Sequence, residues 1–193
     1  MSQDIKSLTL KHPGFANVLV TESAISQAFD PSDRNVNPQF KKYNSIWDTG
    51  ATNSAISQRV VDECGLKPIG MVNVQGVDGI NPSETYLVNI ILRNHVGVSQ
   101  VRVTKGKLGP AADVLIGMDI ITLGDFVITN KDGKTVFSFR IPSVECIDFT
   151  EQINSAKTAL AVKPKPYPGT GRNAPCPCGK PKKKYKNCCG KTR

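Results

Sequence analysis

The sequence predicts a mostly β domain that gives way near residue 150 to a linker and a miniature metal-binding module. Three observations carry this. Short apolar, β-branched runs separated by turn residues recur along the body of the chain. The formal charge of +9 belongs to the end of the chain: residues 1–150 hold 14 Lys/Arg against 15 Asp/Glu, whereas residues 151–193 hold 11 against one. Four of the six cysteines, Cys176, Cys178, Cys188 and Cys189, crowd into the same basic end.

A chain of 193 residues has room for one compact domain and an appendage. No apolar run approaches the ~18 residues that a bilayer span needs. The start, MSQDIKSLTLKHPG, lacks the apolar core of a signal peptide. A cytoplasmic protein with no membrane partner is expected. The near-neutral body gives no electrostatic reason to bind nucleic acid, while the tail suits RNA, DNA or an acidic protein surface.

Strands are expected at 17–21, 39–47, 71–75, 85–92, 96–103, 114–116, 126–128 and 135–141. Turn chemistry lies between them at Asp78-Gly79, Arg93-Asn94, Gly109-Pro110 and Asp132-Gly133. ITNKDGKTVFSF reads as the clearest hairpin, because Asp-Gly tolerates the positive φ of a tight turn. Two short helices are expected, one over Ser57–Cys64 closed by Gly65 and one after Met118 ended by Gly124. EQINSAKTALAV reads as a short exit helix, and KPKPYPGTGRNAP as an extended linker. The domain boundaries expected are 1–149, 150–170 and 171–193.

Asp48-Thr49-Gly50-Ala51 follows a strand ending in Ile46-Trp47 and precedes a helix. Asp, Thr and Gly are common turn formers, so an ordinary strand-ending turn is the competing explanation. About sixty residues on comes Asp113-Val-Leu-Ile-Gly-Met-Asp119, and between the two lies a glycine-tipped hairpin, VNVQGVDGINPSETYLV. This succession resembles the retroviral-type, or retropepsin-like, aspartic proteases, particularly the cellular and bacterial relatives whose second element runs Leu-Gly-Met-Asp. The resemblance covers about Asn17 to Ser143. It implies a single-lobe closed β-barrel of the acid protease fold and aspartic endopeptidase activity with no catalytic cofactor.

Peptide hydrolysis by this route needs two carboxylates sharing one proton around a water. The tripeptide Asp-Thr-Gly occurs once, and Asp-Ser-Gly is absent. One chain therefore supplies one carboxylate, and a C2 homodimer completes the pair. The resemblance assigns Asp48 to catalysis, Gly50 to a close backbone approach, and Thr49 to a hydrogen bond locking the two loops across the dimer. It also makes Gln75, Gly76, Val77, Asp78 and Gly79 a mobile flap over a peptide substrate, where the bare sequence supports only a hairpin. Asp119 is expected to cap the following helix. Retroviral members carry Gly-Arg-Asn where this chain has Gly-Met-Asp, so the arginine's dimer contacts do not transfer. Alanine at position 51 cannot donate a hydrogen bond to the carboxylate as Ser or Thr would, so activity is expected at weakly acidic to neutral pH.

In the tail, Cys176-Pro-Cys178-Gly and Cys188-Cys189-Gly offer four thiols in a segment too small for a core. Structural zinc suits such a set, since metal binding then supplies the folding energy. A disulfide pair or an unstructured basic tail are the alternatives. GRNAPCPCGKPKKKYKNCCG resembles the SEC-C motif, the zinc knuckle at the C-terminus of the SecA translocation ATPase, with Cys189 where many copies have histidine. The resemblance implies docking to a chaperone or the ribosome, with Lys182, Lys183, Lys184, Tyr185 and Lys186 as a basic face; a solvated charge run competes with that. A non-catalytic binding module of the same fold, acting through its zinc tail as a chaperone, ribosome or nucleic-acid tether, is the alternative to an enzyme. His12 and His95 have no partners suggesting a Ser-His-Asp site, and Cys64 and Cys146 are expected to pack rather than react.

Overall fold

A computed structural model describes residues 5–33, 35–76, 79–161, 167, 169–178 and 183–191. The chain divides into two compact units, 1–145 and 146–193. The first is built from strands β1 (Lys6–Lys11), β2 (Val20–Gln27), β3 (Lys41–Trp47), β4 (Ala55–Ile56), β5 (Gly70–Gly76), β6 (Gly79–Leu92), β7 (Val96–Lys105), β8 (Val114–Ile116), β9 (Asp125–Thr129) and β10 (Val136–Ile141). Helices α1 (Gln58–Glu63) and α2 (Met118–Ile121) interrupt them.

Six strands close a barrel in the order β2-β3-β8-β4-β7-β6. Closure falls on β2, whose Val20–Ile25 pair antiparallel with Lys41–Ile46 while Ala24–Gln27 pair with Val88–Ile91. Inside lie Ile25, Tyr43, Ile56, Val88, Ile90, Val103, Val114 and Ile116, each nearly inaccessible. Closure leaves no free edge among the six strands. β5 stands outside the ring. It pairs only with the first half of β6, so the 70–85 hairpin is a two-stranded ribbon projecting from the barrel.

A separate sheet, β1-β10-β9, forms from the two ends of the unit. Its Phe137, Phe139 and Phe126 surround Trp47, with ring centroids 5.1, 4.9 and 5.9 Å from the indole. The indole N–H donates to Thr21 Oγ1 at 3.0 Å. Trp47 is thus held on its faces by aromatics and at its polar edge by a hydroxyl, which fixes the end of β3 immediately before Asp48.

The structure moves one expected strand. The run expected at 17–21 is β2, beginning at Val20 and reaching Gln27. Its inward residues include Thr21 and Ser23, and Ser23 shares a buried hydrogen bond with Ser45 of β3. Hydroxyls satisfied in pairs occupy barrel positions where apolar side chains would mark a strand. Strands β1 and β4 were not expected: β1 rests on only two apolar positions, Leu8 and Leu10, and β4 has two residues. The Asp132-Gly133 hairpin is as expected, with φ of 54° and 73° at those residues.

Asp125, at the start of β9, gathers the chain where β10 ends. It accepts hydrogen bonds from Ser143 Oγ, from the Val144 N–H at 3.0 Å and from Arg140 Nε at 2.6 Å. These donors, the Ser143 hydroxyl foremost, hold its carboxyl well below the usual carboxylate range. A depressed folded-state value stabilises above the unfolded value, about 3.9, and that contribution is lost as pH falls through the folded one. Asp125→Asn is therefore expected to lower Tm at pH 7, with the gap to wild type narrowing below about pH 4 in thermal melts.

The second unit contains helix α3 (Phe149–Ala161), entered through Asp148, whose carboxylate accepts the Thr150 and Glu151 N–H groups at 2.7 and 3.1 Å. Cys146, expected to pack, is exposed. Among the described residues no helix is long and apolar enough to cross a membrane.

Candidate active site and metal centre

Strands β3 and β8 run parallel side by side, Trp47 opposite Ile116, and the chain leaves both at the same end of the barrel. Asp48 N–H donates to Ile116 O at 2.9 Å, which anchors the first residue of the Asp-Thr-Gly turn to β8. The Asp48 carboxylate accepts the Gly50 N–H at 2.8 Å. A Cβ on Gly50 would lie 3.2 Å from that same oxygen, so glycine suits this close approach. Asp48 is half-buried, while Thr49 and Gly50 are exposed. The turn presents its carboxylate outward.

The stretch after the turn is laced to the first turn of α2. Met118 N–H donates to Ala51 O at 2.8 Å and Asp119 N–H to Thr52 O at 3.1 Å. Asp119 differs from the helix cap expected of it, a position that belongs to Gly117. Its carboxylate does accept the Ile120 N–H at 3.0 Å, but it also reaches back to the loop. There it accepts the N–H of Ser54 at 3.0 Å and its hydroxyl at 2.8 Å. The Ser54 oxygen in turn accepts Gly117 N–H at 3.1 Å, so this fully buried hydroxyl is satisfied twice. Sequence reasoning missed Ser54, which lies six residues beyond Asp48 in a loop that also holds Thr49, Thr52 and Asn53, so nothing local singled it out.

Gly117 sits where only glycine fits. A Cβ there would fall 2.6 Å from the Asn53 carbonyl carbon and 2.8 Å from its oxygen, both backbone atoms that cannot swing aside. Gly117→Ala is expected to cost about 1–3 kcal/mol of stability, as an overpacked core does, by pushing the 51–54 segment off α2. A denaturant titration indistinguishable from wild type would contradict this.

The ribbon expected as a flap is present from Gly70 to Gly76 and from Gly79 onward, Gly76 paired with Gly79 and Gln75 with Ile80. Val77 and Asp78 lie outside the described residues. Met71 and Ile80 on the ribbon are about two-thirds exposed, at 67% and 68%. Its base is tied to β7: Glu84 pairs with Lys105 and accepts the Tyr86 hydroxyl at 2.8 Å. Burial, then that hydrogen bond, pushes the Tyr86 hydroxyl up to about 12, while Lys105 beside it holds the Glu84 carboxyl below its ordinary value.

In the tail, Cys176, Cys178, Cys188 and Cys189 come together with their Sγ atoms all within 4.8 Å of one another. Cys178 to Cys188 is 3.4 Å and Cys188 to Cys189 is 3.9 Å. Sulfurs about 2.3 Å from a tetrahedral zinc stand about 3.8 Å apart, so this donor set fits such an ion. The arms are joined by Cys176 N–H to Lys183 O at 3.0 Å and Tyr185 N–H to Ala174 O at 2.8 Å. Tyr185, expected on a basic face, is buried in the knuckle; a Cβ on Gly190 would meet its ring at 2.7 Å. Lys183 and Lys184 are exposed, Lys186 is half-buried, and Lys182 lies outside the described residues. Cys64 packs beside Tyr43 at 3.4 Å, as expected of a packing thiol.

A closed barrel with an Asp-Thr-Gly turn beside a strand-Gly-helix element defines the class: a retropepsin-like aspartic protease fold. Residues 34–122 match the family model described as gag-polyprotein putative aspartyl protease. No curated protein matches the chain. Among solved structures, it is similar to a retropepsin-like aspartic protease from Rickettsia conorii at 12% identity and a TM-score of 0.44, covering 73% of this chain and 98% of that one. It is also similar to the simian foamy virus (mac) protease, at 15% identity and a TM-score of 0.35, covering 52% and 89%. The retroviral protease-like domain of Ddi1 from Leishmania major is similar at 16% identity and a TM-score of 0.37, covering 64% and 95%.

Proposed function

We propose that this protein is a homodimeric aspartic endopeptidase in which Asp48 and Asp48 of the partner subunit hold and activate a water between them. The observation that carries the reading is the Asp48 turn itself: a single, outward-facing carboxylate per chain, held by Gly50 N–H and by the end of β8. One carboxylate of the pair takes the proton of the water; the other, protonated, donates to the scissile carbonyl oxygen as it gains charge. Two carboxylates sharing one proton around a water cannot both ionise, so they work as one proton-sharing unit. In this reading Thr49 of each chain ties the two loops together, and the 70–85 ribbon acts as the flap, closing over the peptide and excluding water. Exposed Met71 and Ile80 give the ribbon apolar surface for that contact.

The tail is proposed to hold one structural zinc through Cys176, Cys178, Cys188 and Cys189 and to dock the enzyme to a partner or substrate through its lysines. A tethered docking module raises the effective concentration of substrate near the cleft. Clustered free thiols fit a reducing, cytoplasmic setting. A chaperone, the ribosome or nucleic acid are the partner classes to test, nucleic acid by the steep salt dependence that lysine–phosphate contacts impose.

Proteome-wide comparison of cleavage products from wild type and Asp48→Asn tests the enzymatic reading: products unique to wild type support it, identical patterns refute it. Because Ala51 has no hydroxyl to offer the carboxylates, the pH–rate profile is expected to peak between weakly acidic and neutral pH. A peak near pH 3 would contradict that.

A further inference from the structure

We infer that Cys178 and Cys188 are a redox pair: an oxidant of the peroxide class joins them in a disulfide and dismantles the zinc site proposed above, on which this inference rests. Their Sγ atoms are in direct contact at 3.4 Å across the two arms of the knuckle. Both are half-buried, whereas Cys176 is buried at 7% exposure, so an oxidant reaches the pair more readily than it reaches Cys176.

The two connections within an arm are less suited. Cys188 and Cys189 are adjacent in sequence, and a bond between their sulfurs, now 3.9 Å apart, would close a small ring through their shared peptide bond. Cys176 and Cys178 are separated only by Pro177, whose fixed φ limits the backbone adjustment such a ring requires. A bond between the arms avoids both constraints.

The chemistry balances. The Cys178 or Cys188 thiolate attacks the peroxide O–O bond, forming a sulfenic acid and releasing hydroxide. The second thiolate displaces the sulfenic hydroxyl, again as hydroxide, and the S–S bond forms. The two sulfurs supply the two electrons that reduce the peroxide. Only Cys176 and Cys189 then remain as thiolate ligands, too few for a closed structural site. Since metal binding is the folding energy of so small a module, the knuckle opens. A dithiol with added zinc reverses the change.

The test uses the full chain carrying Cys64→Ser and Cys146→Ser, so that only the tail thiols report. Zinc per chain is measured first, then its release to a chromophoric chelator under excess hydrogen peroxide, with tandem mass spectrometry of the digested product. The expected result is about one zinc per chain before oxidation, its loss in step with two thiols, a Cys178–Cys188 disulfide, and recovery with dithiothreitol and zinc. Zinc retained under peroxide, release accompanied only by sulfinic acids, or a disulfide confined to one arm would overturn the redox pair while leaving the zinc reading intact. A chain that binds no zinc, as purified or on titration with zinc ion, would overturn both.

Discussion

Replacing Asp48 by asparagine is expected to abolish peptide cleavage, lowering kcat by about 10³-fold or more, the upper part of the range for a positioned general acid–base group. Asparagine keeps the size of the side chain and an oxygen able to accept the Gly50 N–H now 2.8 Å from Asp48 Oδ1. The anchors around it, Asp48 N–H to Ile116 O and the Trp47 clamp, do not involve the carboxylate. The variant should therefore fold, melt and dimerise like wild type and differ only in proton chemistry. Hydrolysis of a defined peptide, read beside sedimentation and thermal melts, separates loss of chemistry from loss of structure. Undiminished hydrolysis would place the reaction elsewhere.

Removing the tail metal is expected to have the next largest effect. Structural zinc in small peptides contributes about 10–16 kcal/mol of apparent binding free energy at neutral pH, and this is folding energy. The knuckle has little else: its described buried side chains are Cys176 and Tyr185. Chelation, or Cys176→Ser, should unfold the knuckle and let trypsin cut at the tail lysines, while the barrel unit, with its own aromatic and aliphatic core, keeps its melting transition. Resistance of residues 171–193 to trypsin after complete chelation would show that the metal does not fold them.

Much of the barrel was legible because its strands alternate or bury β-branched residues between clear turn signals. β8 at Val114–Ile116, helix α1 under its Ser57 cap, and the Asp132-Gly133 hairpin follow their local chemistry. The retropepsin-like fold was legible through resemblance, carried by the Asp-Thr-Gly turn, the glycine-tipped hairpin and the later Gly-Met-Asp. β2 was misplaced because two of its inward positions are Thr21 and Ser23, which are satisfied by Trp47 and Ser45 of β3, partners that no local window shows. β1 and β4 are strands by virtue of what lies beside them, β10 for one and β7 and β8 for the other. The double hold of Asp119 on Ser54 spans 65 residues, and hydrogen bonds at that separation have no local signature. In the tail, spacing alone announced the thiol cluster, whereas the burial of Tyr185 depends on its ring packing against the backbone of Gly190.

The account stands on a reaction shared between two copies of one loop, and subunit mixing tests that most directly. Wild type and Asp48→Asn are combined at varying ratios under conditions that allow exchange, and hydrolysis is measured at constant total protein. If both aspartates of a C2 pair are needed, activity falls as the square of the wild-type fraction, so an equal mixture retains about a quarter. A straight-line fall, with about half the activity in the equal mixture, would mean that each chain acts alone and would contradict the account.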